Sequence, residues 1–245
     1  MHPSDDWIVP DWPVPSRVRA LVTTRNGGTS AAPYESMNLG LKVGDDPVRV
    51  AANRRLLRER LPAEPRWLDQ VHGAAVVPAE SVAQPPRADA SFASIPGCVC
   101  AIMIADCMPV LLADRAGSMV AAAHAGWRGL AGGVLENAVA RLRVPPTDVV
   151  AWLGPAIGPD AFEVGGDVHE AFVGADPAAG AAFRPHRQGK WMCDLFTLAR
   201  QRLARAGVSD VHGGGLCTHS DPSRFFSHRR DGTSGRMAAL VWLQD

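Results

Sequence analysis

The sequence predicts an α+β fold: one compact domain spanning residues 1–245, with mixed and antiparallel sheets flanked by helices. Three observations predict it. Apolar runs of strand length outnumber helical patterns, and the two kinds follow one another in mixed order rather than in strict βαβ alternation. Prolines and glycines are scattered along the chain without a long linker, an internal repeat or a low-complexity tract. Hydrophobic residues make up 47% of the 245 residues, which suffices for a large core, and a net charge of zero argues against a disordered chain.

Residues 18–23 (VRALVT) read as a strand and 25–30 (RNGGTS) as a glycine-rich turn. Asp45, Asp46 and Pro47 open a helix, because proline is tolerated where its missing N–H has no partner to lose. Val50, Leu56, Leu57 and Leu61 follow at roughly helical spacing. Residues 66–71 (RWLDQV) read as a strand leading into His72. Three apolar runs then crowd together: 98–105 (CVCAIMIA), 109–113 (PVLLA) and 118–124 (SMVAAAH). Links this short favour an antiparallel meander. In a meander the first link and the end of the third strand share one sheet edge, so Cys107 and His124 are expected to meet. A helical pattern at 129–143 starts beside that edge, where its free N–H groups suit an anion. Residues 148–153 read as a strand, 191–205 as an amphipathic helix closed by Gly207, and 236–243 as the last strand.

Lys and Arg number 25 and so do Asp and Glu, a balance that argues against a nucleic-acid binder. The longest apolar run, 97–105, ends at Asp106, far short of the roughly 20 residues that a membrane span needs. The first residues, MHPSDDWIVPDW, carry adjacent acids and no basic segment, so no secretory signal is expected. Five cysteines, an odd and sparse set, predict reduced thiols and a cytoplasmic protein. The sequence carries no signal for oligomeric state.

His72, Cys107 and His124 each stand at an expected strand end beside Gly, Pro or a turn. Two imidazoles and a thiolate are good zinc ligands, and three protein ligands leave a fourth position for water, as at catalytic sites. Zinc lowers the pKa of that water and so supplies a nucleophile near neutral pH. The same residues also fit a metal-free hydrolase. In that reading Cys107 is the nucleophile, a histidine is its base, and Arg128 with the helix N-terminus lowers the thiol pKa. A satisfied core histidine and a small buried cysteine would need neither chemistry.

The motifs QVHG (70–73), ADCMPVLL (105–112), HAGWRG (124–129), GPAIGP (154–159), FEVG (162–165) and FFSHRRDG (225–232) resemble the signature blocks of the YfiH-like laccase-domain family. TTRNGGTS (23–30) and MNLG (37–40) resemble its N-terminal blocks, and all occur in the family's order. The family is also known as peptidoglycan editing factors, and formerly as multicopper polyphenol oxidases. The resemblance implies a layered α/β sandwich and a zinc site of His72, Cys107 and His124, with copper as a possible substitute. It further implies phosphorolysis of adenosine, inosine, guanosine and methylthioadenosine, together with deamination of adenosine. The partners would then be purine nucleosides and phosphate.

Other residues find possible roles within that reading. Arg25 in its glycine-rich turn, Arg128, Arg229 and Arg230 are candidates for phosphate or substrate, since guanidinium binds phosphate through a two-pronged fork. Asn38 is a candidate for a base or ribose edge, although Asn before Leu-Gly is also an ordinary turn residue. Asp106 is expected to orient a metal ligand or cap its turn. Glu163 is a candidate proton shuttle, and Trp127 either stacks on a base or sits in the core. Cys98, Cys100 and Cys193 lie in apolar or helical patterns and read as core. Cys217 lies in the glycine-rich stretch 213–220 (GGGLCTHS) and could approach the site, whereas His219 and His228, nearby in sequence, read mainly as exposed loop residues. Three other functions compete: a copper-dependent phenol oxidase, a peptidoglycan-precursor editing hydrolase, and a structural zinc protein without activity. The oxidase fits poorly, because multicopper sites need more histidines than this cluster offers.

Overall fold

The computed structural model describes residues 6–245. The first five residues lie outside the described residues, and with them His2 and part of the segment expected to carry no secretory signal. In chain order the elements are β1 (Val18–Val22), α1 (Pro47–Arg58), β2 (Val76–Pro78), β3 (Ala90–Ala93), β4 (Cys100–Ile104), β5 (Met108–Asp114) and β6 (Val120–Ala125). Then come α2 (Trp127–Ala131), α3 (Val134–Arg141), β7 (Val149–Leu153), β8 (Glu163–Gly165), α4 (Gly166–Val173), β9 (Phe183–Pro185) and β10 (Lys190–Cys193). The chain ends with α5 (Leu195–Arg205), β11 (Asp210–Gly213), α6 (His228–Asp231) and β12 (Met237–Leu243).

Four layers result. A six-stranded mixed sheet, in the order β11-β7-β5-β6-β3-β2, packs face to face on a three-stranded antiparallel sheet, β1-β12-β4. Alternation along the strands makes both faces of each sheet apolar. Leu111 and Ala113 of β5 meet Ile102 of β4 and Ala239 of β12 between the sheets. Met108, Val110 and Leu112 point the other way, onto Leu130, Val134 and Leu135 of α2 and α3 and Leu198 of α5. On the outer face of the small sheet, Ala101 and Leu240 pack on Leu57 of α1. A strand covered on both faces reads as a continuous apolar run, which is why β4, β5 and β12 were legible from sequence. A small antiparallel sheet, β8-β10-β9, sits apart from these two.

The α+β class holds, but the meander does not. β5 and β6 pair as an antiparallel hairpin, whereas β4 pairs with β12 in the other sheet. The link at 105–107 is therefore a corner between facing sheets. Asp106 turns it with φ 81°, in the left-handed region that Asp enters more readily than most residues. Three other expectations shift. The helix expected over 129–143 begins at Trp127 and breaks at Gly132-Gly133, where Gly133 takes φ 90°. The pattern at 191–205 divides into β10 and α5, because Asp194 caps the helix by accepting from the Phe196 and Thr197 N–H groups. Residues 66–71 form isolated bridges at Arg66 and Asp69 rather than a strand. No helix among the described residues is long and apolar enough to cross a membrane.

Candidate metal centre and its cavity

The β5–β6 register alone brings two of the three donors together. Pro109 pairs with His124 and Met108 with Ala125, so Cys107, just before β5, stands against the end of β6. His72 arrives from the loop before β2, held at φ 59°. One donor atom from each of His72, Cys107 and His124 lies within 4.8 Å of the others. The Cys107 Sγ is 3.7 Å from His72 Nε2, and the two imidazole rings meet edge to face at 4.9 Å. Gly126 makes room for this convergence. A Cβ there would stand 2.7 Å from Cys107 Sγ and 3.2 Å from His72 Cδ2.

A buried carboxylate holds the cluster. Asp89 precedes β3, whose Ala90 pairs with Ala123 of β6, so it faces His124 across the strands. Its side chain is 0% exposed, and Oδ1 lies 2.9 Å from His124 Nδ1. A carboxylate accepts, so Nδ1 carries the proton and Nε2 is left for a metal. The same carboxylate accepts from three successive backbone N–H groups, those of Val71, His72 and Gly73, at 3.2, 2.9 and 2.7 Å. Asp89 thus orients one donor and fixes the loop that carries another. Burial alone would raise its pKa; the bonds from His124 and the loop N–H groups outweigh burial and leave it below the usual carboxylate range.

Burial would likewise push the Cys107 thiol up, yet the charge of His124 and bonds from His124 and His72 bring it down to about 6. The reciprocal interaction with Cys107, joined by Asp89, raises His124 to about 9 despite burial. Without a metal the pair is therefore thiolate and imidazolium near neutral pH. With a metal, deprotonated sulfur is what coordination requires.

The three donors line a cavity of about 590 Å³. Trp127, Phe162, Arg128, Arg229 and His228 line it, as do Arg54, Trp67, Gln70 and Arg236. Arg128 is exposed and stacks over Trp127 at 4.3 Å. Arg229 lies over Phe162 and donates from Nη1 to the Glu163 carbonyl at 2.8 Å. His228 Nδ1 donates to the Gly232 carbonyl at 2.6 Å, which leaves Nε2 unprotonated in the neutral ring.

The other expected site residues stand elsewhere, because protein groups occupy their side chains. Arg25 donates to the carbonyls of Glu35 and Pro222 and lies over Phe226. Arg230 donates to the carbonyls of Thr218, His219 and Phe225 and pairs with Asp231. Asn38 is buried, with Oδ1 accepting from the Gly40 and Arg236 N–H groups and Nδ2 donating to Asp45. Glu163 is gripped by Arg187 at 2.6 and 2.7 Å. Hydrogen bonds from Arg187 hold its carboxyl below the usual range, so it is ill suited to carry a proton near neutral pH. None of these four side chains lines the cavity.

Asp106 does not orient a metal ligand; it accepts from Thr218 Oγ1 and the Arg229 N–H, both at 2.6 Å, and so clamps the loops around the cavity. The helix end expected to hold an anion belongs to α2, only five residues long, so little dipole accumulates there. Cys98, Cys100 and Cys193 are buried as expected. Cys217 Sγ accepts from the Gly158 N–H at 3.2 Å. Sequence reasoning missed Asp89, Arg54 and Arg236, and it read His228, which opens α6, as a loop residue. Asp89 alone had a signal, an acid leading directly into the apolar residues of β3.

A family model described as multi-copper polyphenol oxidoreductase laccase matches residues 19–244. The chain is 58% identical to a Pseudomonas aeruginosa protein named purine nucleoside phosphorylase, covering 98% of this chain and 99% of that one. It is 53% identical to the Escherichia coli purine nucleoside phosphorylase YfiH, covering 96% and 98%. Among solved structures, a Neisseria meningitidis DUF152 protein superposes with TM-score 0.96 at 50% identity, covering 98% of this chain and 100% of that one. YlmD from Geobacillus stearothermophilus superposes with TM-score 0.88 at 33% identity, covering 94% and 93%. With its matched span, its layered sheets and its paired histidines and cysteine, the chain belongs to the laccase-domain family, that of the YfiH and DUF152 proteins.

Proposed function

We propose that the protein is a zinc-dependent purine nucleoside phosphorylase acting on adenosine, inosine, guanosine and methylthioadenosine, and that it also deaminates adenosine. The observation that carries this reading is a two-histidine, one-cysteine donor set, braced by Asp89, opening into a cavity of about 590 Å³. That volume falls in the range of small-molecule sites. Relatives named purine nucleoside phosphorylase over nearly their whole length support the substrate class.

The donor chemistry fits zinc, which favours imidazole and thiolate and accepts three protein ligands at catalytic sites. Bound by His72, Cys107 and His124, zinc supplies Lewis acidity and lowers the pKa of water beside the substrate. The chain's own groups do the rest. Asp89 keeps the proton on His124 Nδ1. Trp127 and Phe162 offer flat apolar faces for a purine. In phosphorolysis a phosphate oxygen forms a bond to the ribosyl C1′ as the bond from C1′ to the purine nitrogen breaks. The electron pair of that bond leaves on the purine nitrogen, which takes its proton from the phosphate or from water.

A second reading, a metal-free Cys–His hydrolase editing peptidoglycan precursors, draws on the Cys107 thiolate and His124 imidazolium. The copper oxidase reading draws less support from the donor set. The described residues hold one cluster of three metal-binding side chains, that of His72, Cys107 and His124. All five cysteines are unpaired thiols, which supports a cytoplasmic location. The whole chain is proposed to act as one domain.

The test is incubation of adenosine with phosphate, with adenine, hypoxanthine, ribose 1-phosphate and inosine followed by chromatography, beside metal analysis of the purified protein. Ribose 1-phosphate equal to adenine and hypoxanthine together, inosine as the product of deamination, and about one zinc per chain are expected. Full activity after chelation, or release of an amino acid from a muropeptide precursor, would favour the thiolate hydrolase.

A further inference from the structure

We infer that Arg54 and Arg236 together form the subsite for the phosphate co-substrate. This rests on the phosphorolytic reading above and gives that reading a location within the cavity.

The two arginines come from distant parts of the sequence, α1 and the start of β12, and converge on one residue. Leu39 donates its N–H to the Arg236 carbonyl at 2.9 Å. Its own carbonyl accepts from Arg54 Nε and Nη2 at 3.0 and 2.8 Å. Both side chains line the same cavity as the donor trio. Each guanidinium is held in place. Arg54 stacks over Trp67 at 4.2 Å. Arg236 lies against Gly40, where a Cβ would come within 2.9 Å of its Cγ, and its Nη1 donates to Ser234 and Gly235. Buried Asn38 accepts from the Arg236 backbone N–H, so the asparagine considered for substrate instead braces an arginine.

Neither charge is neutralised by an acid in contact among the described residues. Among the described residues no carboxylate lies within 4.0 Å of either guanidinium. Glu64 acts on Arg54 from farther away and accepts from Trp67 Nε1. Burial is the largest influence on both arginines and lowers both pKa values, as expected for cations withdrawn from water without a partner. Arg236 lines the cavity together with Cys107 and Asp106. The Leu39 carbonyl takes the Nε and Nη2 of Arg54, and Ser234 and Gly235 take the Nη1 of Arg236, which leaves Arg54 Nη1 and the Nε–Nη2 edge of Arg236 as half-buried, pre-positioned donors whose charge suits a phosphate dianion. By contrast, Arg128 and Arg229 are exposed and stacked on aromatic rings, where water already solvates them.

The test is the affinity of the zinc-loaded protein for inorganic phosphate, followed by calorimetry, in the wild type and in Arg54→Gln and Arg236→Gln. Removing one charged fork is expected to weaken binding by about 10-fold or more in each variant. Inosine binding is expected to stay within about 3-fold in both, which also verifies folding. Arg236→Lys, which keeps the charge and loses the fork, should fall between. In Arg128→Gln and Arg229→Gln phosphate affinity should not change. Wild-type phosphate affinity in the Arg54 and Arg236 variants, or no phosphate binding by the wild type, overturns the assignment. So does a nucleoside 5′-monophosphate that binds more tightly than phosphate and nucleoside combined and loses that advantage in the same variants, because the site would then serve a nucleotide. Phosphate binding that depends on both arginines without any phosphorolysis would leave the subsite standing and sink the phosphorylase reading.

Discussion

Two groups of arginines line the cavity and are held in opposite ways. Near Leu39, Arg54 and Arg236 are half-buried, tied to backbone carbonyls and, among the described residues, without an acid in contact. Beside Trp127 and Phe162, Arg128 and Arg229 are exposed and lie over aromatic rings. A desolvated charge needs a partner, whereas a solvated one does not. That difference is the ground for proposing an anion at the first group and a flat aromatic base at the second. The donor trio lines the same cavity.

The largest expected effect removes what both groups share. Cys107→Ala and His124→Ala should lose metal and activity together, read by metal analysis and by the adenosine assay; activity that persists in both would remove the metal from the mechanism. Next comes Asp89→Asn, which leaves the three donors in place but weakens their support. Metal affinity should fall about 10–100-fold in a competition titration with a chelator. Because the Asp89 pKa is depressed, the stability it contributes is present above the ordinary carboxylate range and lost as pH falls through its folded value. The Asn variant should lack that acid-side loss in thermal melts.

The comparison sharpens with Trp127→Ala. Losing a stacking surface should raise the nucleoside KM by about 10-fold while leaving the phosphate KM unchanged. A rise in both would mean that the aromatic group is not specific to the base. A smaller effect is expected for Gly126→Ala, where the added methyl meets Cys107 Sγ at 2.7 Å. Metal occupancy should drop with little change in melting temperature.

The smallest effect concerns pH in the metal-free protein. Cys107 falls from an ordinary 9.0 to about 6, so its contribution to stability is complete above 9.0 and is lost as pH falls toward 6. His124 rises from 6.5 to about 9, so its contribution is complete below 6.5 and is lost as pH rises toward 9. Between about 6.5 and 9 the two pH dependences have opposite signs and nearly cancel, so stability changes little with pH there. The titration should instead appear in iodoacetamide labelling, with Cys107 reacting with a midpoint near pH 6. Cys100 and Cys193, whose pKa values burial raises, should remain protected. Bound zinc should protect Cys107 as well.

Local pattern made some of this legible. Continuous apolar runs marked β4, β5, β6 and β12, since strands covered on both faces admit few polar residues, here His124 and Asp114 at strand ends. Short links between those runs placed Cys107 near His124, even though the expected meander was wrong. The hairpin of β5 and β6 was enough, and the same short link serves equally well as a corner between facing sheets. Strands of three or four residues, such as β2, β8 and β9, carry too few positions to show a period. Asn38, Arg25, Arg230 and Glu163 looked functional as residue types, yet contacts far along the chain occupy them.

By itself, then, the sequence determined the α+β class, the buried strands and the three donor residues. Those follow from hydrophobic periodicity and from side chains whose chemistry is distinctive wherever they stand. Only the tertiary structure decided that the sheets face each other, that Asp89 braces two donors, and that Arg54 and Arg236 line one cavity. The reason is physical. A carboxylate or guanidinium acquires its role from burial and from the partners around it, and both are set by residues far away in the chain.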